Sequence, residues 1–462
     1  HSQRQKRVVS LLNAARAGER RGRMQAAVTN ENMTDHRQLN PPQGSFAAAV
    51  DLPGDKSLSH RALIFAAMAK GRSEITGLGT GEDVLTSARV LGELGVEFQA
   101  DGKRVVVMSP GVSGFTPPAG SLDCRNSGTT MRLMTGALAA QPVSCSLVGD
   151  DSLMRRPMQR LVEPLETLGA SIGTAAGGTA PVTIDPGRKL RGSQVTLATA
   201  SAQLRSAFEL AAIQADGDSS VSSPPGYRDH TERWLETIGL GERNQDTFVV
   251  HPGDIPGSEY QLPGDTSSAA FMWAAAAISP GSEVITRNIS LNAGRIGFLE
   301  VLDRMGAEVE ASVDRAILGD PVGTVRVRGG HLQGIEIDGA LTVASLDELP
   351  LFAIVASFAE GLSRVRDAAE LRVKESDRIL STCEMVRRLG GGAEATSDGF
   401  EIVGLGWLDG GAVNSHGDHR IAMATAVAAT RSRQPVTVSG ADAAAVSWPD
   451  FYETLEALWS SR

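Results

Sequence analysis

The chain repeats one pattern of polar and apolar positions six times. A short cluster containing Gly, Ser or Asp is followed by an Ala- and Leu-rich run that is long enough for a helix. Successive runs start 65 to 80 residues apart. This spacing exceeds the roughly 20–50 residues of solenoid repeats, so each unit is expected to be a small βα assembly. The six apolar runs start at Ala62, Met131, Leu204, Ala269, Leu349 and Ile421.

A second kind of helix is predicted in several units. The segments ARVLGELG, LVEPLETLG, ERWLETIG, EVLDRMG and EMVRRLG all end in Gly after an apolar residue. Gly just beyond the last turn is a common signal for the end of a helix. Short β-type runs such as VEFQADGKRVVVM and GFEIVGL follow. The pattern predicts an α/β fold with two lobes, each built from three pseudo-repeats.

The chain length also favours two lobes, because 462 residues are too many for one hydrophobic core. The tripeptide LPG occurs at Leu52 and Leu262, at the head of each half, where the chain is expected to cross between lobes. The predicted domains are an N-terminal extension (1–44), a discontinuous first lobe (45–54 and 264–462) and a second lobe (55–263).

The predicted extension is rich in Arg and Gln and lacks apolar periodicity. We expect it to be irregular or disordered. An upstream fusion remnant, a start displaced from Met24 or Met33, and a targeting peptide stay open as explanations.

Composition narrows the possible functions. The residues are 41% apolar but only 4% aromatic, as in a globular α/β protein. A net charge of -10 argues against a nucleic-acid partner, and no apolar run reaches the length of a membrane helix. The cysteines Cys124, Cys145 and Cys383 lack metal-type spacing, which suggests reduced thiols and a cytoplasmic location.

The polar clusters are candidates for anion binding. Each is predicted to lie at a helix N-terminus, where free backbone N–H groups and the helix dipole attract negative charge. Capping explains the Ser, Asp, Asn and Thr in these clusters, but it does not require Lys or Arg. The densest cluster is ELRVKESDRIL from Glu370, whose simplest interpretation is a solvated, salt-bridged helix start.

Nine motifs in this order make the chain resemble the EPSP synthase family of enolpyruvyl transferases. They are LPGDKSLSHRAL, NSGTTMR, SLMRRPM, SAQLRSA, RDHTE, PGDTSSAAF, LDELP, LRVKESDR and GDHRIAMA. The resemblance runs from about Leu52 to Leu458 and implies the enolpyruvyl transferase fold with βαβαββ-type pseudo-repeats. It implies transfer of the enolpyruvyl group of phosphoenolpyruvate to the 5-hydroxyl of 3-phosphoshikimate in aromatic amino acid biosynthesis. It also implies a monomer without metal or cofactor.

Site residues follow from the same motifs. The resemblance implies that phosphoenolpyruvate is bound by Lys56, Gly128, Arg156, Gln203, Arg378 and Arg420. It implies that 3-phosphoshikimate is bound by Lys56, Ser57, Arg61, Ser201, Ala202, Gln203, Arg228, Asp347 and Lys374. His230 is expected to be structural, and Asp418 and His419 are expected to orient Arg420.

Catalysis is assigned to four of these residues by the resemblance. The reaction must deprotonate a hydroxyl and protonate a methylene carbon, which requires a base and a separate acid. Asp347 is expected to be the base, and Glu375, assisted by Lys374, the proton donor, with Lys56 contacting both substrates. Lys374 works against a protonated Glu375, so which of the two delivers the proton stays open.

The chain departs from the pattern at Val446, where some relatives carry a Lys. The closest alternative is the enolpyruvyl transferase that acts on UDP-N-acetylglucosamine, which uses a loop Cys that has no counterpart here. A non-catalytic binding protein on the same fold would be expected to lack Lys56, Asp347, Glu375 or Arg378. A nucleic-acid enzyme of the RNA 3'-terminal phosphate cyclase type would want a basic surface.

Overall fold

The strands form six small sheets, one for each repeat of the sequence pattern. The structure is a computed structural model that describes residues 36–101 and 104–461. Within these residues, five sheets have four strands and one has three. Each four-stranded sheet combines one parallel pair with antiparallel pairs. In three of these sheets a repeat helix joins the two parallel strands, whereas in the other two the parallel strands come from distant parts of the chain.

Three sheets surround one half of the molecule. The first contains Lys70–Thr76, Glu97–Asp101, Arg104–Pro110 and Glu259–Gln261. The second contains Leu122–Asp123, Cys145–Val148, Ile172–Gly173 and Val182–Ile184. The third contains Gln194–Thr196, Ser219–Ser222, Gly241–Asn244 and Thr247–Val250.

The other three sheets surround the second half. One contains Ala47–Val50, Glu283–Ser290, Glu308–Ile317 and Asp320–Arg328. Another contains Glu336–Ile337, Glu360–Val365, Gly392–Ala395 and Phe400–Leu405. The three-stranded sheet contains His36–Leu39, Gly411–Asn414 and Val436–Ser439.

Six helices start at the polar clusters of the repeat. They are Lys56–Met68, Gly128–Leu138, Ala202–Ala212, Thr266–Ala277, Leu349–Ser357 and His419–Ala428. These helices are buried over most of their length, which explains their Ala-rich composition. The remaining short helices are Asp151–Arg155, Gly339–Ser345 and Phe451–Trp459, with 3-10 turns at Val112–Gly114, Leu346–Glu348, Ala369–Val373 and Ala441–Val446.

The second helices end at glycine as predicted. They are Glu82–Glu93, Gln159–Thr167, His230–Thr237, Gly297–Met305 and Arg378–Arg388. The glycine that follows each helix has a positive φ, between 75° and 103°. This backbone conformation is unfavourable for residues with a side chain but not for glycine. These glycines are Gly95, Gly169, Gly239, Gly306 and Gly390.

Two separate hydrophobic cores lie under the sheets. One is formed by buried residues between Leu58 and Leu262. The other combines Leu39 and Phe46 with buried residues from Ala269 to Leu458. The chain crosses between them at the two LPG segments, which bind each other because Asp55 N–H donates to Pro263 O and Asp265 N–H donates to Pro53 O (2.8 and 2.9 Å).

The predicted irregular tail falls mostly on residues 1–35, which lie outside the described residues. Residues 36–39, within the predicted extension, form a strand paired with Val436–Ser439. The domain limits as such stay a prediction.

One helical stretch of the described residues, Gly339–Ser357, is long and apolar enough to cross a membrane. It has 19 residues and a mean hydropathy of 1.5. About three fifths of it is buried inside the protein (61%), and it carries Asp347 and Glu348. These features are typical of a helical stretch packed in the core of a protein, with two acidic residues at its middle.

Candidate active site

A cavity of about 570 Å³ lies between the two cores and is lined by the N-terminal ends of all six repeat helices. It is lined by every residue to which the resemblance assigned a substrate-binding or catalytic role, although these residues span more than 360 positions of the chain. They are Lys56, Ser57, Arg61, Gly128, Arg156, Ser201, Ala202, Gln203, Arg228, Asp347, Lys374, Glu375, Arg378 and Arg420. Their roles stay predictions, since no substrate is bound.

Side-chain caps fix the helix starts around the cavity. The capping residues accept hydrogen bonds from backbone N–H groups two or three positions ahead, at 2.7 to 3.4 Å. They are Asp55, Ser127, Ser201, Asp265 and Asp418. Capping and a convergent set of helix dipoles therefore coexist, and the dipoles make the cavity attractive to anions.

Charged side chains strengthen this attraction. Ten Lys and Arg residues line the cavity against six Asp and Glu residues, an excess of four positive charges. The whole chain carries a net charge of -10, so the cavity opposes the sign of its surroundings. Low-dielectric walls of one sign focus the field and concentrate small anions.

Lys56 and Arg61 project from the first repeat helix. The Lys56 ammonium forms an ion pair with Asp83, while the Lys56 backbone N–H donates to Asp265 Oδ2 at 2.8 Å. The Arg61 guanidinium donates to Thr231 Oγ1 (2.8 Å), Ser206 Oγ (2.7 Å) and Ser57 O (3.0 Å). Arg61 is thus held rigidly behind Ser57 and contributes a fixed positive charge.

A second wall combines Gly128 with two arginines. A Cβ atom on Gly128 would lie 2.7 Å from one terminal nitrogen of Arg132 and 3.3 Å from one of Arg156. Arg132 also donates to Gln203 Oε1 at 2.7 Å, and Arg156 donates to Asn126 Oδ1 at 2.7 Å. Only a glycine lets both guanidinium groups approach this helix start without displacement.

Asp347 lies on the opposite wall, between two arginines. Its Oδ2 accepts from Arg228 at 2.5 Å, and its Oδ1 lies 3.4 Å from a terminal nitrogen of Arg378. Burial raises the pKa of the Asp347 carboxyl, but Arg228, Arg420 and Lys374 outweigh burial and hold this pKa well below its usual value. Asp347 is therefore ionised at neutral pH, as a base must be.

Glu375 is also ionised in the absence of substrates. Burial raises the pKa of its carboxyl, but Arg378 above all holds that pKa well below the usual value. Arg378 donates to Glu375 Oε2 at 2.7 Å. Burial lowers the pKa of the neighbouring Lys374 ammonium, an effect that Asp347 and Glu370 counteract. Glu375 is therefore a carboxylate, and the ammonium of Lys374 has a pKa below its usual value.

Asp418 was expected to orient the side chain of Arg420, but it contacts the side chain of Arg378 instead. Its carboxylate receives two hydrogen bonds from the Arg378 side chain, at 2.8 and 3.1 Å, and only the backbone N–H of Arg420. The Arg420 side chain instead donates to Glu348 Oε1 at 3.1 Å. The Asp418 oxygens are occupied by Arg378, by Ser376 Oγ at 3.0 Å and by the Arg420 backbone, and the nearby Glu348 carboxylate takes the Arg420 side chain. His230 is buried and contacts Asp320 at 2.9 Å, consistent with a structural role.

Sequence reasoning assigned no role to seven charged residues that line the cavity. They are Asp83, Arg132, Arg160, Asp265, Arg295, Asp367 and Glu370. Arg132 follows Gly128 by four positions in a helix, so it shares a face with Gly128, and this spacing could have identified it. Asp83 and Arg160 reach the cavity only through the packing of separate elements, which no local spacing reveals.

The chain is similar to known proteins over most of its length. Residues 41–455 match the family model described as EPSP synthase (3-phosphoshikimate 1-carboxyvinyltransferase). A protein of that enzyme name from Syntrophomonas wolfei is 42% identical over 427 residues, covering 92% of this chain and 100% of the relative. Another, from Halorhodospira halophila, is 44% identical over 420 residues, covering 90% and 95%.

Solved structures show the same similarity. An EPSP synthase structure from Acinetobacter baumannii superimposes with a TM-score of 0.80 at 37% identity, over 92% of this chain and 98% of the other. The enolpyruvyl transferase NikO from Streptomyces tendae shares the fold, with a TM-score of 0.72 at 15% identity over 92% of this chain and 98% of the other.

Proposed function

The chain belongs to the EPSP synthase family, and from this premise we propose how its cavity performs the reaction of that family. The enzyme transfers the enolpyruvyl group of phosphoenolpyruvate to the 5-hydroxyl of 3-phosphoshikimate and releases phosphate. The observation that carries the proposal is Asp347, held ionised between Arg228 and Arg378 on the wall that also bears Lys374 and Glu375.

The cavity's charge fits these substrates. Each substrate carries a phosphate and a carboxylate, so together they bring several negative charges that repel one another. We propose that phosphoenolpyruvate lies against Gly128, Arg156, Arg378 and Arg420. The phosphate of 3-phosphoshikimate then lies against Ser201 and the neighbouring helix start, where free N–H groups donate hydrogen bonds to its oxygens. Holding both anions side by side lowers the entropic part of the barrier.

Proton transfers follow from the carboxylates. We propose that Asp347 takes the proton of the 5-hydroxyl group of 3-phosphoshikimate while the oxygen of that hydroxyl attacks C2 of phosphoenolpyruvate. C3 of phosphoenolpyruvate gains a proton from the side of Lys374 and Glu375. The adduct then loses a proton from that methyl group and expels phosphate, which restores the double bond. Both steps need groups that accept and donate protons near neutral pH.

Glu375 can become the donor only when the substrates are bound. Arg378, Arg156 and Lys56 hold its pKa down in the ligand-free protein. Phosphate and carboxylate groups bound to these cations neutralise them and add negative charge nearby, which raises the pKa of a carboxyl. We propose that substrate binding itself protonates Glu375, with Lys374 as the alternative donor.

A phosphate-release assay tests the function. Phosphate should form from phosphoenolpyruvate only when 3-phosphoshikimate is present. Release that depends instead on UDP-N-acetylglucosamine would establish the alternative enolpyruvyl transferase. That alternative is disfavoured because, among the described residues, the cavity lining contains none of the three cysteines. A non-catalytic role is disfavoured because Lys56, Asp347, Glu375 and Arg378 all line the cavity.

The alkaline side of the pH profile should report Lys374. Its pKa is lowered by burial, so kcat/KM should fall as pH rises at values below the ordinary lysine pKa of about 10.4. In Lys374→Arg, the residual activity should lose this decline, because arginine stays charged. Burial raises the pKa of the cavity residue Tyr227 to about 12, so Tyr227 would titrate later. An unchanged alkaline decline in Lys374→Arg would contradict this assignment.

Gly128→Ala should raise the KM for phosphoenolpyruvate about tenfold or more and change the KM for 3-phosphoshikimate little. The added methyl group would meet Arg132 at 2.7 Å and force the guanidinium groups away from the phosphoenolpyruvate position. A tenfold change corresponds to about 1.4 kcal/mol. Gly120→Ala, where nothing lies within 4 Å, is the matched control. Equal effects on both KM values would argue against a phosphoenolpyruvate subsite at Gly128.

The remaining proposals concern the oligomeric state, the location, the partners and the lobe limits. We propose that the protein is a monomer. We propose a cytoplasmic enzyme with no nucleic-acid or membrane partner and no cofactor. We also propose the lobe limits given above, which are supported by the two separate cores. Light scattering of the purified protein would decide the oligomeric state.

A further inference from the structure

An ion pair spans the cavity between the two cores. Arg160 donates to both carboxylate oxygens of Glu370, with distances of 3.0 and 2.7 Å, across 210 positions of the chain. Such a two-point geometry holds the relative orientation of the partners as well as their distance. Both residues line the cavity. Neither was assigned a role by the motifs.

Each partner is anchored in a different core. Arg160 belongs to helix Gln159–Thr167, which buries Leu161, Val162 and Leu165 in the core formed between Leu58 and Leu262. Glu370 belongs to the 3-10 turn Ala369–Val373, whose buried residue Leu371 packs in the other core. The ion pair therefore sets the position of one anchored element against another.

The turn that contains Glu370 is followed directly by the two proposed proton donors. Lys374 follows Glu370 by four residues, and Glu375 follows by five. Within the described chain, two other polar contacts join the opposite half to residues 369–377. Ser152 Oγ donates to Glu375 O at a long 3.4 Å, and a terminal nitrogen of Arg156 lies 3.9 Å from Glu375 Oε1. The Arg160–Glu370 pair is thus the strongest polar tie that holds this segment against the facing wall.

The pair also adjusts the charge at the phosphoenolpyruvate wall. Arg160 lies near Arg132 and Arg156. Burial, together with the charges of Arg160 and Arg156, lowers the pKa of Arg132 to about 10. Burial raises the pKa of the Glu370 carboxyl, but its hydrogen bonds from Arg160 and the charge of Lys374 lower it below the usual value. Glu370 therefore stays ionised and offsets part of the repulsion in this arginine cluster.

We propose that Arg160 and Glu370 form a clasp across the cavity that positions Lys374 and Glu375 for proton transfer. This inference rests on the proposed function. Both are positioning residues, since they act through the segment that follows Glu370. The side chains are 29% and 34% exposed, so the clasp lies at the cavity rim, where it contributes little to global stability.

A double-mutant cycle of Arg160→Gln, Glu370→Gln and the combined variant tests the clasp. Each single variant should lower kcat about tenfold at saturating substrates, and the combined variant should be no worse than either one. Added salt should lower kcat of the wild type more steeply than that of the combined variant, because salt screens the exposed pair. The melting temperature should stay nearly unchanged, which separates positioning from a structural role.

The matched control is the pair Arg364 and Glu401, which is similarly exposed (42% and 37%) but is not part of the cavity lining. Arg364→Gln and Glu401→Gln should keep the wild-type kcat. Additive effects of the two clasp variants, or a loss of kcat that tracks a lower melting temperature, would overturn the clasp while leaving the proposed function intact. A wild-type protein without phosphate release would instead refute the function itself.

Discussion

Replacing Asp347 by Asn should lower kcat for phosphate release about a thousandfold and leave the fold intact. General acid–base groups typically contribute about 10²- to 10⁴-fold to the rate, and asparagine keeps the shape of aspartate but cannot accept the hydroxyl proton. The structure gives Asp347 the required state, because Arg228 at 2.5 Å and Arg378 at 3.4 Å keep it ionised. Asp347→Ala should show the same loss.

Asp367→Asn is the matched control for this experiment. Asp367 lines the same cavity, but its carboxylate accepts from the backbone N–H of Gly339 at 2.9 Å. We expect a change in kcat of less than tenfold. Circular dichroism and binding of 3-phosphoshikimate would show that Asp347→Asn is folded. An Asp347→Asn enzyme with more than a tenth of the wild-type kcat would remove this residue from the role of base.

Arg378→Met should abolish turnover and destabilise the protein by about 3–5 kcal/mol, the range for breaking a buried ion pair. Arg378 is only 1% exposed and contacts three carboxylates. It binds Asp418 at 2.8 and 3.1 Å, Glu375 at 2.7 Å and Asp347 at 3.4 Å. Methionine fills a similar volume, but it leaves the buried Asp418 carboxylate and the partly buried carboxylates of Asp347 and Glu375 without their shared cation.

The pH dependence of this destabilisation has a defined sign. In the wild type, the pKa values of Asp347 and Glu375 are held well below their usual values. Their contribution to stability is therefore present above the unfolded pKa of about 4 and is lost as pH falls further. Without Arg378 these pKa values rise, so the variant binds protons at higher pH. The stability deficit of Arg378→Met should be largest near pH 7 and shrink towards pH 4.

Urea unfolding at several pH values measures this deficit. Arg388→Met is the control, because Arg388 lies on the same helix with a side chain that is 65% exposed. Its effect should stay within about 0.5 kcal/mol, as for most surface substitutions. A deficit for Arg378→Met that stays constant between pH 7 and 4 would mean that the lost packing, and not the carboxylates, explains it.

Much of the site could be predicted because its parts are local. A cap, an apolar run and a terminal glycine are encoded within a few neighbouring residues, and the structure places helices and positive-φ glycines where these patterns lie. The motif around Glu370 shows the limit of local reasoning. Its simplest local interpretation is a solvated helix start, and a helix does begin at Arg378. Yet Arg378 is buried, where Asp347 and Asp418 from other segments and Glu375 from its own motif enclose it.

The sequence by itself determined the six repeats, the helix starts and the identity of the charged residues that could bind anions. Hydrogen bonds of short range decide these features, so they hold wherever the segment lies. Only the tertiary structure decided that Arg228 meets Asp347, that Arg160 meets Glu370 and that Glu375 is ionised. The two contacts join partners more than a hundred positions apart. The ionisation of Glu375 depends on Arg378 nearby in the chain, but also on burial and on the distant Arg156 and Lys56, which come together only when the two cores pack around one cavity.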